Sequence, residues 1–204
     1  MPRKVDVARR RQQIFDAVFR LLVRGGVEQA SLRKVADEAG LNIGAVRNYF
    51  DSHQELMTAA AREVLDRITA RLTADAAELE AGADRAELTR TMLSELLPLD
   101  DVRRYETTVM FTLVEQGRFT PAYAALSREI YRGTRQLIRE ILTRAGIADV
   151  EVETERLAAL IDGLAFNGIT YQPPPSPELQ LQVLDFHLDQ LRQANRGRSS
   201  RRPG

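Results

Sequence analysis

The sequence of 204 residues lacks cysteine, and its two histidines, His53 and His187, are far apart in the chain. The lack of cysteine excludes disulfides, thiol catalysis and cysteine-based zinc sites, and it is typical of a cytoplasmic protein. Neither histidine belongs to a metal-binding spacing, and we find no glycine-rich phosphate loop and no serine elbow. An enzyme is therefore poorly supported, and we expect no cofactor and no metal.

Long apolar segments are also missing from the chain. There is no run of about eighteen apolar residues, so we expect no transmembrane helix. The Arg/Lys-rich N-terminus is not followed by an apolar segment, so we expect no signal peptide. No stretch alternates between polar and apolar residues as a strand would, and we find no internal repeat.

The net charge is zero, which by itself argues against a nucleic-acid partner, but the charges are unevenly distributed. Residues 1–54 carry ten Lys/Arg against six Asp/Glu, residues 55–191 are acidic, and residues 192–204 carry five Arg and no acid. A basic segment neutralises DNA phosphates, whereas an acidic body is repelled by them. Ordinary sorting of surface charge is the alternative. Residues 195–204 contain no apolar side chain, and we expect them to form a disordered basic tail.

Apolar periodicity, caps and stop signals predict about nine helices. Ser52 and Glu55 form a capping box, and Thr120 precedes a proline at a first helical position. The predicted helices span residues 6–24, 32–39, 43–49, 53–80, 85–97, 101–117, 121–144, 151–170 and 177–194, with a break at 81–84.

Residues 31–50 predict two short helices joined by a tight turn at residues 40–42. Gly40 ends the first helix, where a left-handed conformation costs glycine little. Ala36 is small enough for the two helices to cross closely. The inner faces carry the apolar side chains of Val35, Ala36, Ala39, Val46, Tyr49 and Phe50. This spacing indicates a helix-turn-helix, whose second helix enters the DNA major groove.

The N-terminal segment resembles the DNA-binding domain of the TetR family of bacterial regulators from about residue 10 to residue 65. The resemblance rests on Ile14, Ala17, residues 19–22, residues 25–27, residues 30–31, residues 35–36, residues 39–41, Gly44, Val46, residues 49–50, Ser52 and residues 55–56. Arg47, Asn48 and His53 replace residues that are common in the family, so the operator sequence does not follow from the resemblance. The resemblance implies a ligand-responsive regulator, most simply a repressor, that binds a palindromic operator as a dimer and is released by an effector.

The fold class expected is therefore all-α, with an N-terminal three-helix helix-turn-helix domain and a C-terminal helical bundle. The expected domains are residues 1–52 for DNA binding, with an N-terminal arm, residues 53–194 for ligand binding and dimerisation, and the tail at 195–204.

The chemistry of base edges selects the candidate DNA-reading residues. Arg47 suits guanine O6 and N7, and Asn48 suits adenine N6 and N7. Residues near helix N-termini can hold phosphates. The predicted DNA-binding residues are Ser31, Arg33, Lys34, Asn42, Ile43, Gly44, Ala45, Arg47, Asn48, Tyr49 and His53. Lys4 and residues 9–11 form a flexible arm that could reach a flanking phosphate or the minor groove.

The last two predicted helices carry extensive apolar stripes. In TetR-like proteins these helices pair into a four-helix dimer interface, which implies such an interface here; packing inside one subunit is the alternative. The predicted interface residues are Leu157, Leu160, Ile161, Leu164, Leu184, His187, Leu188 and Leu191. Residues 157–168 also resemble the BetI-like subgroup, which supports the fold and dimerisation but not a choline-like ligand.

A small-molecule pocket is expected among the middle helices, where apolar walls combine with a few polar groups. The candidate ligand-binding residues are Met92, Tyr105, Met110, Phe111, Phe166, Asn167 and Thr170. Their composition favours an apolar or aromatic effector, although each is also compatible with ordinary core packing. Two other interpretations remain open: a helical adaptor that binds only protein, and an enzyme that modifies a small molecule without binding DNA.

Overall fold

A computed structural model describes residues 2–80 and 84–199 of the chain. These residues form nine α-helices and one short 3₁₀ turn, and they contain no strand. The helices are α1 (Pro2–Gly25), α2 (Leu32–Glu38), α3 (Ile43–Arg47), α4 (His53–Glu80), α5 (Arg85–Ser94), α6 (Asp101–Gln116), α7 (Pro121–Arg144), α8 (Val150–Thr170) and α9 (Pro177–Ser199), with the 3₁₀ turn at Val27–Gln29. The all-α prediction is confirmed.

Side-chain caps explain where several helices begin. Asp84 accepts a hydrogen bond from the amide of Ala86 at 2.8 Å at the start of α5. Ser176 accepts from the amide of Leu179 at 3.2 Å at the start of α9. Ser52 accepts from the amide of Glu55, whose carboxylate in turn accepts from the backbone of residue 51. These bonds satisfy amides that a helix leaves without an internal partner.

The chain divides into two compact units. The first comprises Met1–Ile68 and Thr108–Ser127. Its core is built from the apolar faces of α1, α2 and the first half of α4, together with the end of α3. Phe15 and Phe50 pack with their ring centroids 5.8 Å apart, and both are almost completely buried. Val35, Ala36 and Val46 are buried beside them.

The second unit comprises Thr69–Thr107 and Arg128–Gly204. Its core combines α5, α7, α8 and α9 through Leu93, Leu97, Ile138, Leu142, Leu157, Ala158, Ile161, Leu184, Leu188 and Leu191. Two buried carboxylates, Glu95 and Glu106, are both bonded by Arg71, and Arg103 also bonds Glu95. Each buried acid therefore has an arginine partner, as burial of a charge requires.

Three predicted helix ends differ from the structure by three residues or more, and the others by at most two. α1 begins at Pro2 rather than at residue 6, because proline is favoured at the first helical position. α5 ends at Ser94, since the turn before the buried Pro98 has no room for another helical turn. α9 continues to Ser199, so residues 195–199 are helical rather than part of a disordered tail.

Two further expectations are not settled by these helices. Residues 81–83 of the predicted break and residues 200–204 of the predicted tail lie outside the described residues. The boundary expected between residues 52 and 53 stays a prediction, since the first compact unit also takes in the first half of α4. In the part of the chain that is described, no helix has the length and hydrophobicity of a membrane span.

Candidate nucleic-acid interface

The turn between α2 and α3 is built by a sequence-encoded helix stop. Gly40 adopts a left-handed backbone with φ 66°, which a side chain would disfavour. Its amide donates to the carbonyl of Asp37 at 3.1 Å, and the amide of Leu41 donates to the carbonyl of Ala36 at 2.8 Å. This pair of bonds is the Schellman motif, and it sets the angle at which α3 leaves α2.

Asn42 is the N-cap of α3. Its side-chain oxygen accepts a hydrogen bond from the amide of Ala45 at 2.8 Å. Because the cap engages the oxygen, the amide nitrogen of Asn42 keeps its two donors for an acceptor outside the protein. Phosphate oxygens are such acceptors, whereas bidentate reading of adenine needs the oxygen as well. With its oxygen engaged in the cap, we expect Asn42 to contact a phosphate.

One face of α3 is buried in the core of the first unit, and the opposite face is exposed. Val46 is 0% exposed, and Phe50 is buried just after the helix. Ile43 is 39% exposed, and Arg47 and Asn48 are both exposed. Over residues 2–80 and 84–199, no side chain binds Arg47 or Asn48, so both are available to a ligand.

This outer face has the chemistry of a base-reading surface. Arg47 offers a forked donor for guanine, and Asn48 offers a donor and an acceptor for adenine. Ile43 offers an apolar contact for a thymine methyl group. Gly44, which is exposed, has no side chain, and the half-buried Ala45 has only a methyl group, so a ligand can approach the backbone of the first turn closely.

The residues beside α3 include phosphate-binding chemistry. Ser31 caps α2 by accepting from the amide of Lys34 at 3.4 Å, which leaves its hydroxyl hydrogen free to donate. Arg33 is exposed, and Lys34 is exposed while donating to the side chain of Gln29. Tyr49 is half-buried with its ring centroid 6.4 Å from that of Phe50, in agreement with a packing role.

His53 does not fit the predicted phosphate contact. Burial lowers the pKa of His53, and the backbone carbonyl of Val27 accepts a hydrogen bond from the ring. The Nε2 atom is buried and has no hydrogen-bond partner in the described chain, so Nδ1 is the donor. A neutral ring bound to the 3₁₀ turn supports the structure of the first unit and carries no charge to a phosphate at neutral pH.

The predicted N-terminal arm is helical in the described residues. Arg9 pairs with Asp6 at 3.3 Å within α1. The guanidinium of Arg11 lies over the rings of Phe15 and Phe50, at 5.6 and 5.4 Å from their centroids. These side chains therefore pack on α1 rather than on a flexible segment. The side chain of Lys4 lies outside the described residues.

The structure places the predicted dimer-interface residues mainly inside one subunit. Leu157, Ile161, Leu184, Leu188 and Leu191 are buried in the core of the second unit, so they have little surface for a partner. The remaining three, Leu160, Leu164 and His187, are half-buried. The residues that sequence periodicity selected on α8 and α9 therefore lie mainly on the inward faces of these helices.

The opposite faces of the same two helices are exposed and apolar, and sequence reasoning missed them. On α8, Val152, Ala159 and Phe166 follow one another at intervals of seven residues, and Val152 and Phe166 are 61% and 47% exposed. On α9, Leu179 and Phe186 have the same spacing and are 52% and 69% exposed. A seven-residue repeat on a helix surface is the signal that could have identified this face.

The predicted ligand-binding residues are distributed over both units. Met110 and Phe111 belong to the first unit, where Met110 is buried and Phe111 is half-buried. Met92 and Tyr105 belong to the second unit and are half-buried. Phe166, Asn167 and Thr170 are exposed on the outer face of α8. The structure does not bring the seven residues together in one described cavity, and the pocket stays a prediction.

Comparison with known proteins agrees with this arrangement. Residues 14–60 match the model of bacterial regulatory proteins of the tetR family, and residues 85–193 match the C-terminal model of BetI-type transcriptional repressors. The chain is 33% identical to the HTH-type transcriptional regulator PksA of Bacillus subtilis over 196 residues, which cover 94% of both chains. It is 27% identical to the HTH-type nicotine-responsive transcriptional repressor HdnoR of Paenarthrobacter nicotinovorans, over 92% of this chain and 98% of that protein.

Solved structures give the same fold. A transcriptional regulator from Rhodococcus sp. Rha1 superposes with a TM-score of 0.78 at 31% identity, covering 90% of this chain and 96% of that one. A putative transcriptional regulator from Saccharomonospora viridis, solved in complex with choline, gives a TM-score of 0.76 at 23% identity, with coverages of 89% and 96%. Such proteins are DNA-binding transcriptional regulators rather than enzymes. The two matching family models and the 33% identical relative show that the chain belongs to the TetR family of bacterial transcriptional regulators.

Proposed function

We propose that the protein is a ligand-responsive repressor that binds a palindromic operator as a homodimer and is released by a small molecule. The observation that carries the proposal is the division of α3 into two faces. Val46 anchors the helix in the core, while Ile43, Arg47 and Asn48 face outward without protein partners among the described residues. A helix anchored and exposed in this way suits the major groove.

Arg47 and Asn48 are the proposed base readers. Asn42, Ser31, Arg33 and Lys34 are the proposed phosphate contacts, and they set the register of α3 along the groove. Phosphate contacts release counterions, so operator affinity should fall steeply with salt. An adaptor that binds only protein would show no such salt-dependent affinity for DNA.

The dimer is proposed to form through the outer faces of α8 and α9. Val152, Ala159 and Phe166 on α8, with Leu179 and Phe186 on α9, form an apolar surface that a second copy can cover. Gly163 supports close approach on the same side of α8, because no atom lies within 4 Å of its Cβ position. A two-fold dimer presents two copies of α3, which matches a palindromic site.

The effector is proposed to be a small molecule with an apolar or aromatic part. Met92 and Tyr105 of the second unit remain candidates for contact with the effector, whereas Phe166, on the outward face of α8, is reassigned to the dimer surface. The nicotine-responsive relative supports this class, since nicotine combines an aromatic ring with an amine. To act as a switch, the effector must bind the DNA-incompetent state more tightly than the DNA-bound state.

The proposal is tested by selecting DNA fragments from the source genome with the purified protein and measuring their affinities at several salt concentrations. We expect a shared palindrome, bound far more tightly than random DNA, with a steep salt dependence. Retention of no fragment above random DNA would contradict the proposal. Transcription from a promoter that carries the palindrome should fall when the protein is added; a rise would indicate an activator.

A further inference from the structure

We infer that Gln13 is a positioning residue for DNA recognition. Its side chain on α1 holds the end of α2, and thereby the turn that sets the direction of α3. The inference rests on the proposed function, because the position of α3 matters only if α3 reads bases. It concerns a residue outside the helix-turn-helix itself.

The carbonyl groups at the end of α2 need hydrogen-bond donors from outside the helix. A helix leaves its last four carbonyls without internal partners. Backbone amides satisfy two of them here: Leu41 donates to Ala36 at 2.8 Å and Gly40 donates to Asp37 at 3.1 Å. Across the described residues, no backbone amide reaches the carbonyl of Ala39, which is the last one before the turn.

α1 supplies the missing donor. The Nε2 atom of Gln13 donates to the carbonyl oxygen of Ala39 at 2.7 Å, across 26 positions of sequence. The other end of the amide is also bound, since Oε1 accepts from the guanidinium of Arg10 at 3.1 Å. The bond from Arg10 orients the amide with its nitrogen toward α2. Ala39 is buried, and the carbonyl groups of buried residues are normally hydrogen-bonded.

Two arginines on the same side of α1 extend this contact to the preceding residue. Arg20 donates to the carboxylate of Glu38 at 2.6 Å and to its backbone carbonyl at 3.4 Å, and Arg24 donates to the carboxylate at 2.8 Å. The guanidinium of Arg20 is the main cause of the lowered pKa of Glu38. These arginines are considerably exposed, and exposed ion pairs contribute little rigidity. The bond from Gln13 to the carbonyl of Ala39, at 2.7 Å, is shorter than the bond from Arg20 to the carbonyl of Glu38, at 3.4 Å.

The surroundings of Gln13 favour a positional role over a role in stability. Gln13 and Ala39 line a shallow groove that is open to solvent, together with Arg9, Arg10, Gln12, Asp16 and Arg20. If the amide were removed, water could enter and satisfy the carbonyl of Ala39. The carbonyl would remain hydrogen-bonded, but α1 would no longer be tied to the start of the turn. The fold should therefore persist while the direction of α3 becomes less defined.

The test compares Gln13→Met with Gln12→Met in the full-length protein. Methionine preserves the length of the side chain but has no donor. Gln12 is a matched control, because it is half-buried on the same helix and its amide donates to Asp16 within α1, at 2.7 Å. Affinity is measured for a DNA fragment that the wild type selects and for a random duplex of the same length. Amide hydrogen exchange of residues 39–43 is measured without DNA.

We expect Gln13→Met to reduce the ratio of specific to random affinity about three- to tenfold, the effect of one hydrogen bond, while random affinity and melting temperature stay close to wild type. Exchange at residues 39–43 should be faster in this variant and unchanged in Gln12→Met. Gln13→Lys, which restores a donor, should restore the ratio while raising both affinities through its charge.

Three results would overturn the inference: an unchanged affinity ratio in Gln13→Met, an equal loss in Gln12→Met, or unchanged hydrogen exchange at the turn. A wild-type protein with no preference for any fragment would contradict the proposed function instead. In that case the exchange measurement would still decide whether Gln13 holds the turn.

Discussion

Replacing Gly168 by alanine tests the packing of the second unit, because a methyl group has no room there. A Cβ atom at this position would lie 2.4 Å from Cγ of Pro98, whereas carbon atoms in contact prefer about 3.5–4.0 Å. Pro98 is buried and its ring is rigid, so α8 or the segment that carries Pro98 must move by about 1 Å. The carbonyl of Gly168, which accepts from Arg104 at 2.7 Å, would move with it.

The expected magnitude follows from two opposing effects. Overpacking a core costs about 1–3 kcal/mol. Alanine is favoured over glycine inside a helix by about 0.8–1 kcal/mol, which offsets part of the cost. We therefore expect Gly168→Ala to lower the free energy of unfolding by about 1 kcal/mol.

Gly133→Ala is the matched control for this change. Gly133 lies in α7 of the same unit, and no atom lies within 4 Å of its Cβ position. This variant should gain the helix preference alone, so the two variants should differ by about 1–3 kcal/mol. Denaturant unfolding at one fixed protein concentration measures the difference, since dimerisation would make stability depend on concentration. Equal stability of the two variants would refute the packing argument.

Three further results are expected. Arg47→Ala should weaken operator binding by about 1–3 kcal/mol and relax base choice at one position; an equal loss on random DNA would make Arg47 a phosphate contact instead. Phe186→Glu should shift the protein from dimer to monomer in sedimentation analysis. The control Phe119→Glu, at a residue 72% exposed in the first unit, should leave the dimer intact. If the Phe186→Glu variant stayed dimeric, the proposed interface would be wrong. Burial lowers the pKa values of His53 and His187, so the unfolded chain binds protons more readily than the folded chain. The free energy of unfolding should therefore be highest above the ordinary histidine pKa of about 6.5 and fall as the pH drops below it. Replacing both histidines by asparagine should flatten this dependence in denaturant titrations, and an unchanged slope would show that other groups cause it.

The sequence predicted the helix-turn-helix well because its signals are local. The cap at Ser31, the left-handed glycine at position 40 and the inward positions 35, 36 and 46 lie within a few residues of the groups they contact. α7 was placed at its observed limits because Thr120 and Pro121 mark its start and residues 145–146 mark its end. Signals of this kind need no knowledge of the rest of the fold.

The proposed dimer face was not predictable in the same way. α8 has apolar residues on two sides, with Leu157 on the inner side and Val152 on the outer side. The periodicity of apolar residues shows which faces of a helix are apolar, but it does not show which of two such faces packs against the core of its own subunit. That choice depends on the packing of α5, α7 and α9, which are distant in sequence. The bond from Gln13 to Ala39 was missed for the same reason, since it joins residues on separate helices.

The separation of α3 into a buried face and an exposed face also has an evolutionary consequence. Val46 and Phe50 are almost completely buried, whereas Arg47 and Asn48 are exposed polar side chains. Surface substitutions away from structural features usually change stability by less than about 0.5 kcal/mol. If Arg47 and Asn48 read bases as proposed, duplicated genes can diverge at these two positions and acquire new target promoters while the scaffold keeps its stability.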